Sequence, residues 1–339
     1  MKTVRYGIIG LGNQGSTYIK EFFNPGKVEN AEITALCDIN PDKIALAKEY
    51  TQGRKIAFFT DYKAMLESGL IDAAMVETPH YYHPEMAQEC LKRGIHVLVE
   101  KPAGVYAKQV KEMNETAAKS GAIFGMMFNQ RTNCVYRKMR EIIANGEIGE
   151  LQRVVWVITN WYRSQSYYDS SNWRATWNGE GGGVLINQAL HTLDLVQWFC
   201  GFPSEVYANC ENYLHKRAIE VEDTVTAVFK GEANFDFFAT SCAASDLPVT
   251  VELKTENGAV LLLPDCAVAN GKMLAIDESR TYFGKCDYGR GHNSLIADFY
   301  SCVSRGEKFW INGEEGAKVV KLILAVYESN GKEVKIGEV

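Results

Sequence analysis

Residues 10–15 read Gly10-Leu11-Gly12-Asn13-Gln14-Gly15, the pattern G-x-G-x-x-G, placed directly after the apolar run 4–9 and ahead of a helical stretch reaching about Phe23. Alone the pattern could be an ordinary glycine turn, and its place between a strand and a helix gives it weight. The first glycine permits a tight turn, the second lets backbone approach a pyrophosphate, and the third allows close helix–strand packing. The helix start then offers N–H groups and a partial positive charge to phosphates. Asp38 ends the next apolar run, 32–37, where a carboxylate can accept hydrogen bonds from the adenosine ribose hydroxyls and repel a 2′-phosphate. Ile39 and Asn40 follow, with no arginine to neutralise such a phosphate. The spacing therefore predicts NAD as cofactor, bound by Gly10, Leu11, Gly12, Asn13, Gln14, Gly15, Asp38 and Ile39. Asp38 could alternatively cap the helix opened by Pro41, although Asn40 is also placed to do so.

The alternation of strand and helix continues. Strands are predicted at 56–59, 71–77, 95–99 and 122–127. Helices are predicted from His83-Pro84 to a glycine stop at Gly94, and over 106–120. This rhythm implies a doubly wound parallel sheet, a Rossmann domain over residues 1–125. After residue 127 the pattern changes. A helix is expected over about 134–145. Longer runs with apolar–polar alternation follow at 151–159, 205–213, 222–230, 235–243, 249–255 and 259–263. These predict a large, mostly antiparallel sheet with one face covered by helices. Helices at 184–200, 292–305 and 314–329 complete an α+β domain over 126–339, with the last helix a candidate to pack back on the first domain.

Composition narrows the setting. The net charge of −6 argues against a nucleic-acid surface. No apolar run reaches the length of about 18 residues that spans a bilayer. The opening residues run straight into a strand pattern with no secretory leader, and the nine cysteines are scattered with no C-x-x-C pair. A cytoplasmic protein with reduced thiols is expected. The six histidines make no zinc pattern, so no metal is expected.

Ligands of open α/β sheets bind beyond the carboxyl ends of the strands. Two such ends carry polar residues: Glu77-Thr78-Pro79-His80-Tyr81-Tyr82-His83 and Glu100-Lys101-Pro102. Thr78, Pro79, His80, His83, Glu100 and Lys101 are candidates for the cofactor crevice, as is Asn129 after the sixth strand. Residues 161–177 hold Trp161, Tyr162, Tyr167, Tyr168, Trp173 and Trp177 with Arg163 and Arg174 among them. Ring faces suit the C–H faces of sugars, while hydroxyls and guanidinium groups suit their oxygens. Packing between domains is the alternative use for most of these rings. Tyr162, Tyr167 and Trp173 are the substrate candidates here. Arg174 is a candidate for the cofactor, and Tyr282 and His292 for the substrate wall. Asn187 and His191 are four apart and share a helix face, after the glycine triplet 181–183 that would let backbone approach a ligand.

These segments together resemble the Gfo/Idh/MocA family of glucose–fructose oxidoreductases, inositol dehydrogenases and their relatives. The likeness is carried by G-L-G-N-Q-G, T-P-H-Y-Y-H, Glu100-Lys101-Pro102, Trp173-Arg174-Ala175-Thr176-Trp177, Gly181-Gly182-Gly183, Asn187-Gln188-Ala189-Leu190-His191 and Gly291-His292, over essentially the whole chain. The resemblance implies a catalytic lysine at Lys101 and an acid/base histidine at His191. Asn187 stands where many inositol-dehydrogenase-like members carry aspartate, so an aspartate–histidine dyad is in doubt. It also implies a homodimer or homotetramer formed through the second-domain sheet.

The expected activity is hydride transfer between nicotinamide and a ring secondary alcohol of a sugar, cyclitol or sugar derivative. An imidazole, with an unperturbed pKa of about 6.5, suits the proton, and a lysine cation suits the developing alkoxide. Alternatives are redox-neutral glycoside cleavage through transient oxidation, a nonenzymatic NAD-binding regulator, and oxidation of a nonsugar diol or pyrrole-type substrate. The cleavage route needs a second proton acceptor, with Tyr82, His83, Tyr162 and Tyr167 as candidates. The cofactor reading gives the first expected outcome. NAD should bind more tightly than NADP, and Asp38→Ala should weaken NAD and narrow the preference in fluorescence titrations of both. A wild-type preference for NADP contradicts it.

Overall fold

The computed structural model describes residues 3–23, 30–159, 161–216, 219–245, 250–263, 266–275 and 291–337. The chain divides into two compact units. One comprises Met1–Asn129 with Gly289–Ala317, and the other chiefly Gln130–Thr281 with Lys318–Val339.

The first unit is built on six parallel strands: β1 (Val4–Ile9), β2 (Ala31–Cys37), β3 (Ala57–Phe59), β4 (Ala73–Val76), β5 (His96–Val99) and β6 (Phe124–Met126), in the order β3-β2-β1-β4-β5-β6. Strands covered on both faces read as nearly continuous apolar runs, and all four residues of β4 are buried. The connecting helices are α1 (Asn13–Thr17), α2 (Pro41–Tyr50), α3 (Tyr62–Glu67), α4 (His83–Lys92) and α5 (Ala107–Ser120). Their ends follow from local chemistry. Asn40 caps α2 by accepting from the Asp42 N–H at 2.9 Å, with Pro41 in the first turn. After α4, Gly94 takes φ +70°, while its N–H reaches Leu91 O and the Ile95 N–H reaches Cys90 O, both at 3.0 Å. That pair of bonds satisfies carbonyls the helix leaves open. The expected first helix is mixed: α1 passes at Tyr18 into a π-helical stretch, Tyr18–Phe23. Sequence periodicity also passes over the short helix α3, which Asp61 caps.

The second unit holds α6 (Cys134–Ala144), β7 (Leu151–Ile158), α7 (Gln165–Tyr168), α8 (Leu190–Cys200) and strands β8 (Glu205–Glu211), β9 (Thr224–Lys230), β10 (Asn234–Thr240), β11 (Thr250–Thr255), β12 (Gly258–Leu262), β13 (Ala267–Ala269) and β14 (Lys272–Met273). Two further helices follow, α9 (His292–Arg305), which belongs to the first unit, and α10 (Gly313–Ser329), and then β15 (Glu333–Lys335). Among the described residues the sheet runs β14-β13-β12-β11-β7-β10-β9-β8-β15. It is antiparallel except where β10 lies parallel to β7. Alternate residues of β9 and β11 are buried, the signature of a sheet with one covered face. Phe229 and Phe235 stack on that face with centroids 4.8 Å apart. No described helix is long and apolar enough to cross a membrane.

One polar contact fixes α8. Arg131 donates to both carboxylate oxygens of Asp194, at 2.9 Å from Nε and 2.6 Å from Nη2, and both side chains are fully buried. Neither ion can be left alone in this position without a large penalty. Asp194→Asn should therefore lower stability by about 3–5 kcal/mol in denaturant titration, because it strands the Arg131 charge. Arg131→Met combined with Asp194→Leu should cost less than Asp194→Asn. A single variant as stable as wild type contradicts this.

Candidate functional site

The sequence candidates fall into two groups, each held within one unit. In the first, the glycine loop adopts the form the motif requires. Gly10 has φ +97°, and a Cβ there would lie 2.6 Å from the Glu77 carbonyl oxygen. A Cβ on Gly15 would strike the Gly10 carbonyl, so the third glycine is needed for close packing. Gly12 has nothing within 4 Å of a Cβ position, and no side chain caps the start of α1. The loop thus presents open backbone and helix-start N–H groups, a donor set that fits a pyrophosphate.

Asp38 does not cap α2. Its Oδ2 accepts from the Leu11 N–H at 2.7 Å and its Oδ1 from the Asn40 N–H at 2.8 Å, which aims the carboxylate at the glycine loop. Leu11 is buried, and Ile39 beside the carboxylate is 88% exposed. At the β4 end, the Thr78 hydroxyl lies 3.5 Å from the Met86 sulfur, and Pro79 leads into a single 3-10 turn, His80–Tyr82. His80 is buried with its ring 6.0 Å from that of His83. His83 lies between two backbone carbonyls, Nδ1 at 2.7 Å from Pro102 O and Nε2 at 2.7 Å from Thr78 O. Burial lowers its pKa despite those carbonyls, and both ring nitrogens are engaged in tying the β4 end to the β5 end. A neutral ring can donate to only one of the two.

Glu100 orients the residue after it. Its Oε1 accepts from the Tyr18 hydroxyl, and its Oε2 accepts from the Lys101 backbone N–H at 3.0 Å. Burial, and then the Glu100 and Glu77 carboxyls, push the Tyr18 phenol well up, so Tyr18 acts as a donor. Asn129 is fully buried with its side-chain nitrogen 3.3 Å from His292 Nδ1, and the His292 ring lies 5.7 Å from that of Tyr18. Lys101, Glu100, Tyr18, Asn129 and His292 thus belong to one neighbourhood of the first unit. Tyr18 carries no sequence signal, being a tyrosine in a helix, and Glu77 belongs to the polar β4 end but is not among the site candidates that the sequence offers.

In the second unit the organiser is Glu180, also missed, although it directly precedes the glycine triplet. Its Oε1 accepts from the Asn187 amide and lies 3.7 Å from Arg174 Nη1, and its Oε2 accepts from the Ala175 N–H at 2.6 Å. Arg174 donates to the Tyr167 hydroxyl at 2.6 Å and lies over the Tyr167 and Trp173 rings. The Asn187 amide is 3.4 Å from the same hydroxyl. Tyr167, Trp173, Arg174 and Asn187 are thus brought together. Tyr162 is half exposed, and Tyr168 packs instead on Ala175, Ile219 and Val221. Ala175 itself has φ +57°, a costly conformation for a residue with a Cβ. Asn187 lies in a π-helical turn, Leu185–Ala189, and His191 in the first turn of α8. The single helix expected over 184–200 therefore changes its winding between them, a feature often found at functional sites.

Two glycines of the triplet, Gly182 and Gly183, are required by packing within their own unit. A Cβ on Gly182 would strike the Tyr327 hydroxyl, and one on Gly183 the Glu222 carbonyl. The Glu222 carboxylate accepts from the N–H groups of Gly183 and Leu185 at 3.0 Å and from the Tyr327 hydroxyl at 3.1 Å. Tyr282 lies outside the described residues.

Comparison with known proteins agrees with this architecture. A family description, "Oxidoreductase family, NAD-binding Rossmann fold", matches residues 4–128, and the C-terminal domain description of the same family matches residues 136–261. The chain is 29% identical to D-glucoside 3-dehydrogenase of Escherichia coli K12 over 62% of its own length and 58% of that relative. It is 25% identical to myo-inositol 2-dehydrogenase of Thermotoga maritima over 99% of both chains. The match spans 58%, 63% and 58% of the lengths of the first three curated relatives. Among solved structures, WlbA dehydrogenase of Bordetella pertussis, in complex with NADH and UDP-GlcNAcA, aligns over 100% of both chains with a TM-score of 0.83 and 26% identity. The cofactor of the first unit is NAD.

Glu222 provides a pH test of the support beneath Asn187 and His191. Burial pushes its carboxyl up to about 7 against the opposing N–H and hydroxyl donors. The folded state then holds a proton more tightly than the unfolded one. The resulting stabilisation is fully present below the ordinary carboxyl range and is lost as pH climbs towards about 7. The melting temperature should fall between about pH 5 and about pH 8 more steeply in wild type than in Glu222→Gln. Equal slopes contradict this.

Proposed function

Because this chain belongs to the Gfo/Idh/MocA family, we propose that it is an NAD-dependent dehydrogenase or reductase acting on a ring secondary alcohol of a sugar, cyclitol or sugar derivative. The observation that carries this reading is the polar set Tyr167, Arg174, Glu180 and Asn187, gathered at the start of the helix that bears His191. Hydroxyl, guanidinium and amide groups backed by aromatic rings suit a polyhydroxylated ring, whose faces are apolar and whose edge is polar. The relatives point the same way, being named for a glucoside and for myo-inositol.

Bound NAD supplies the hydride acceptor, and the chain's residues manage position and proton. In this reading His191 takes the hydroxyl proton as general base, and the Lys101 ammonium stabilises the alkoxide that develops. Glu100 holds the Lys101 backbone N–H, which fixes where that side chain leaves the β5 end. Asn187 orients the substrate through its amide. Glu180 fixes that amide, so a carboxylate serves the position although no aspartate stands at residue 187. Two-proton chemistry of the glycoside-cleaving kind would need a second base, and the geometry singles out none among Tyr82, His83, Tyr162 and Tyr167.

Lys101→Ala and His191→Ala should each lose turnover by about 100- to 10,000-fold while NAD affinity stays close to wild type. Assays with NAD and free sugars, inositols or nitrophenyl glycosides, following NADH and phenol together, separate the readings. NADH accumulating with a keto-sugar or keto-inositol is expected. Phenol release with catalytic NAD and no NADH build-up overturns net dehydrogenation, and wild-type rates in either variant remove that residue's role.

A further inference from the structure

Glu77 has no place in the reaction outlined above, yet it is an unusual group. It follows the last residue of β4, and its N–H donates to Ile9 O at 2.8 Å, so it lies beside the start of the glycine loop. Both of its carboxyl oxygens are buried and have no hydrogen-bond partner among the described residues. A buried carboxyl is normally hydrogen-bonded, and one left unpartnered asks for a ligand or a function.

Its location says which ligand. Phosphates belong over the turn between β1 and α1, and the adenosine ribose belongs with Asp38 at the end of β2. In the order β3-β2-β1-β4-β5-β6, the ends of β4 and β5 lie on the opposite side of β1 from Asp38. Glu77 therefore belongs to the nicotinamide half of the cofactor crevice. Among the described residues, the charged and titratable groups that act on it or adjoin it are Glu100 and Lys101 from the β5 end, Tyr18 from the stretch after α1, and beyond Tyr18 the ring of His292 from α9. Burial raises the Glu77 pKa well above the usual carboxyl range, the Glu100 carboxyl raises it further, and the Lys101 ammonium opposes both without prevailing.

We propose that Glu77 is a cofactor-responsive acid, whose carboxyl releases its proton to solvent when the cationic nicotinamide of NAD+ binds and keeps it when the neutral nicotinamide of NADH binds. The free protein favours the neutral acid because burial disfavours the charged carboxyl and the neighbouring Glu100 carboxyl adds to that. A positive charge about 4–6 Å from a carboxyl raises its ionisation constant by about ten- to a thousandfold. Oxidised cofactor brings that charge and reduced cofactor does not. Binding of NAD+ thus gains affinity as pH rises, over the window between the Glu77 pKa in the NAD+ complex and its higher value in the free protein.

The test needs no substrate and stands apart from the sugar reading. NAD+ and NADH are titrated separately into the full chain, with affinity and proton exchange measured by calorimetry in buffers of different ionisation enthalpy. NAD+ should release up to about one more proton than NADH, and its affinity should rise by up to about tenfold per pH unit inside the window while that of NADH stays nearly flat. Glu77→Gln, a neutral isostere, should abolish the excess proton and flatten the NAD+ profile. Equal proton counts for the two cofactors in wild type overturn the proposal, as does an excess that survives undiminished in Glu77→Gln. Infrared difference spectra of wild type keep the test decisive if that variant does not fold. The protonated-carboxyl band should disappear with NAD+ and remain with NADH, and its persistence with NAD+ overturns the proposal.

Discussion

The turn at Gly10 is the constraint on which the first unit depends. Its positive φ and the 2.6 Å approach of a hypothetical Cβ to the Glu77 carbonyl mean that only glycine can end β1 there. That turn brings the Leu11 N–H to Asp38 and sets α1 with its uncapped start above the strand ends. It also packs the β1 end against the β4 end, which puts Glu77 beside the loop, where its carboxyl oxygens have no hydrogen-bond partner among the described residues. One backbone requirement therefore sets the places of the Asp38 carboxylate, the open N–H groups at the start of α1 and Glu77.

The second unit is ordered by buried carboxylates. Asp194 is satisfied by Arg131, Glu222 by the N–H groups of Gly183 and Leu185 with the Tyr327 hydroxyl, and Glu180 by Asn187, Arg174 and the Ala175 N–H. A buried charge tolerates few arrangements of its neighbours, because each lost partner leaves a desolvated ion. The three acids thus hold the segment from Ala175 through α8 in one geometry. Asn187 and His191 inherit their positions from that scaffold. Ala175 keeps its left-handed backbone within it, with its N–H bonded to Glu180.

Much of this was legible beforehand where the signal is local. The glycine motif, the Pro41 helix start, the Gly94 stop and the alternation of β9 and β11 are consequences of neighbouring residues and their dihedrals. They were readable for that reason. The candidates Tyr167, Trp173, Arg174 and Asn187 were also named from residue type and likeness, and the structure gathers them around Glu180. The π-helical turn at Leu185–Ala189 was not legible. Its sequence keeps a helical pattern, and the change of winding arises beside glycines packed on Glu222, 39 residues beyond Gly183, and on Tyr327, 105 residues beyond Glu222.

What the sequence determined by itself is the chain's local grammar: a glycine turn only glycine can make, an acid at the end of the second strand, and strand and helix periods that separate two kinds of sheet. Those follow from backbone sterics and hydrophobic spacing, which act over a few residues. Tertiary structure alone decided which polar groups share a pocket. Tyr18 meets Glu100 across 82 positions, Arg131 meets Asp194 across 63, and the Glu77 carboxyl oxygens are left buried with no hydrogen-bond partner among the described residues. Desolvation and charge pairing depend on distance in space, and no spacing along the chain encodes that distance.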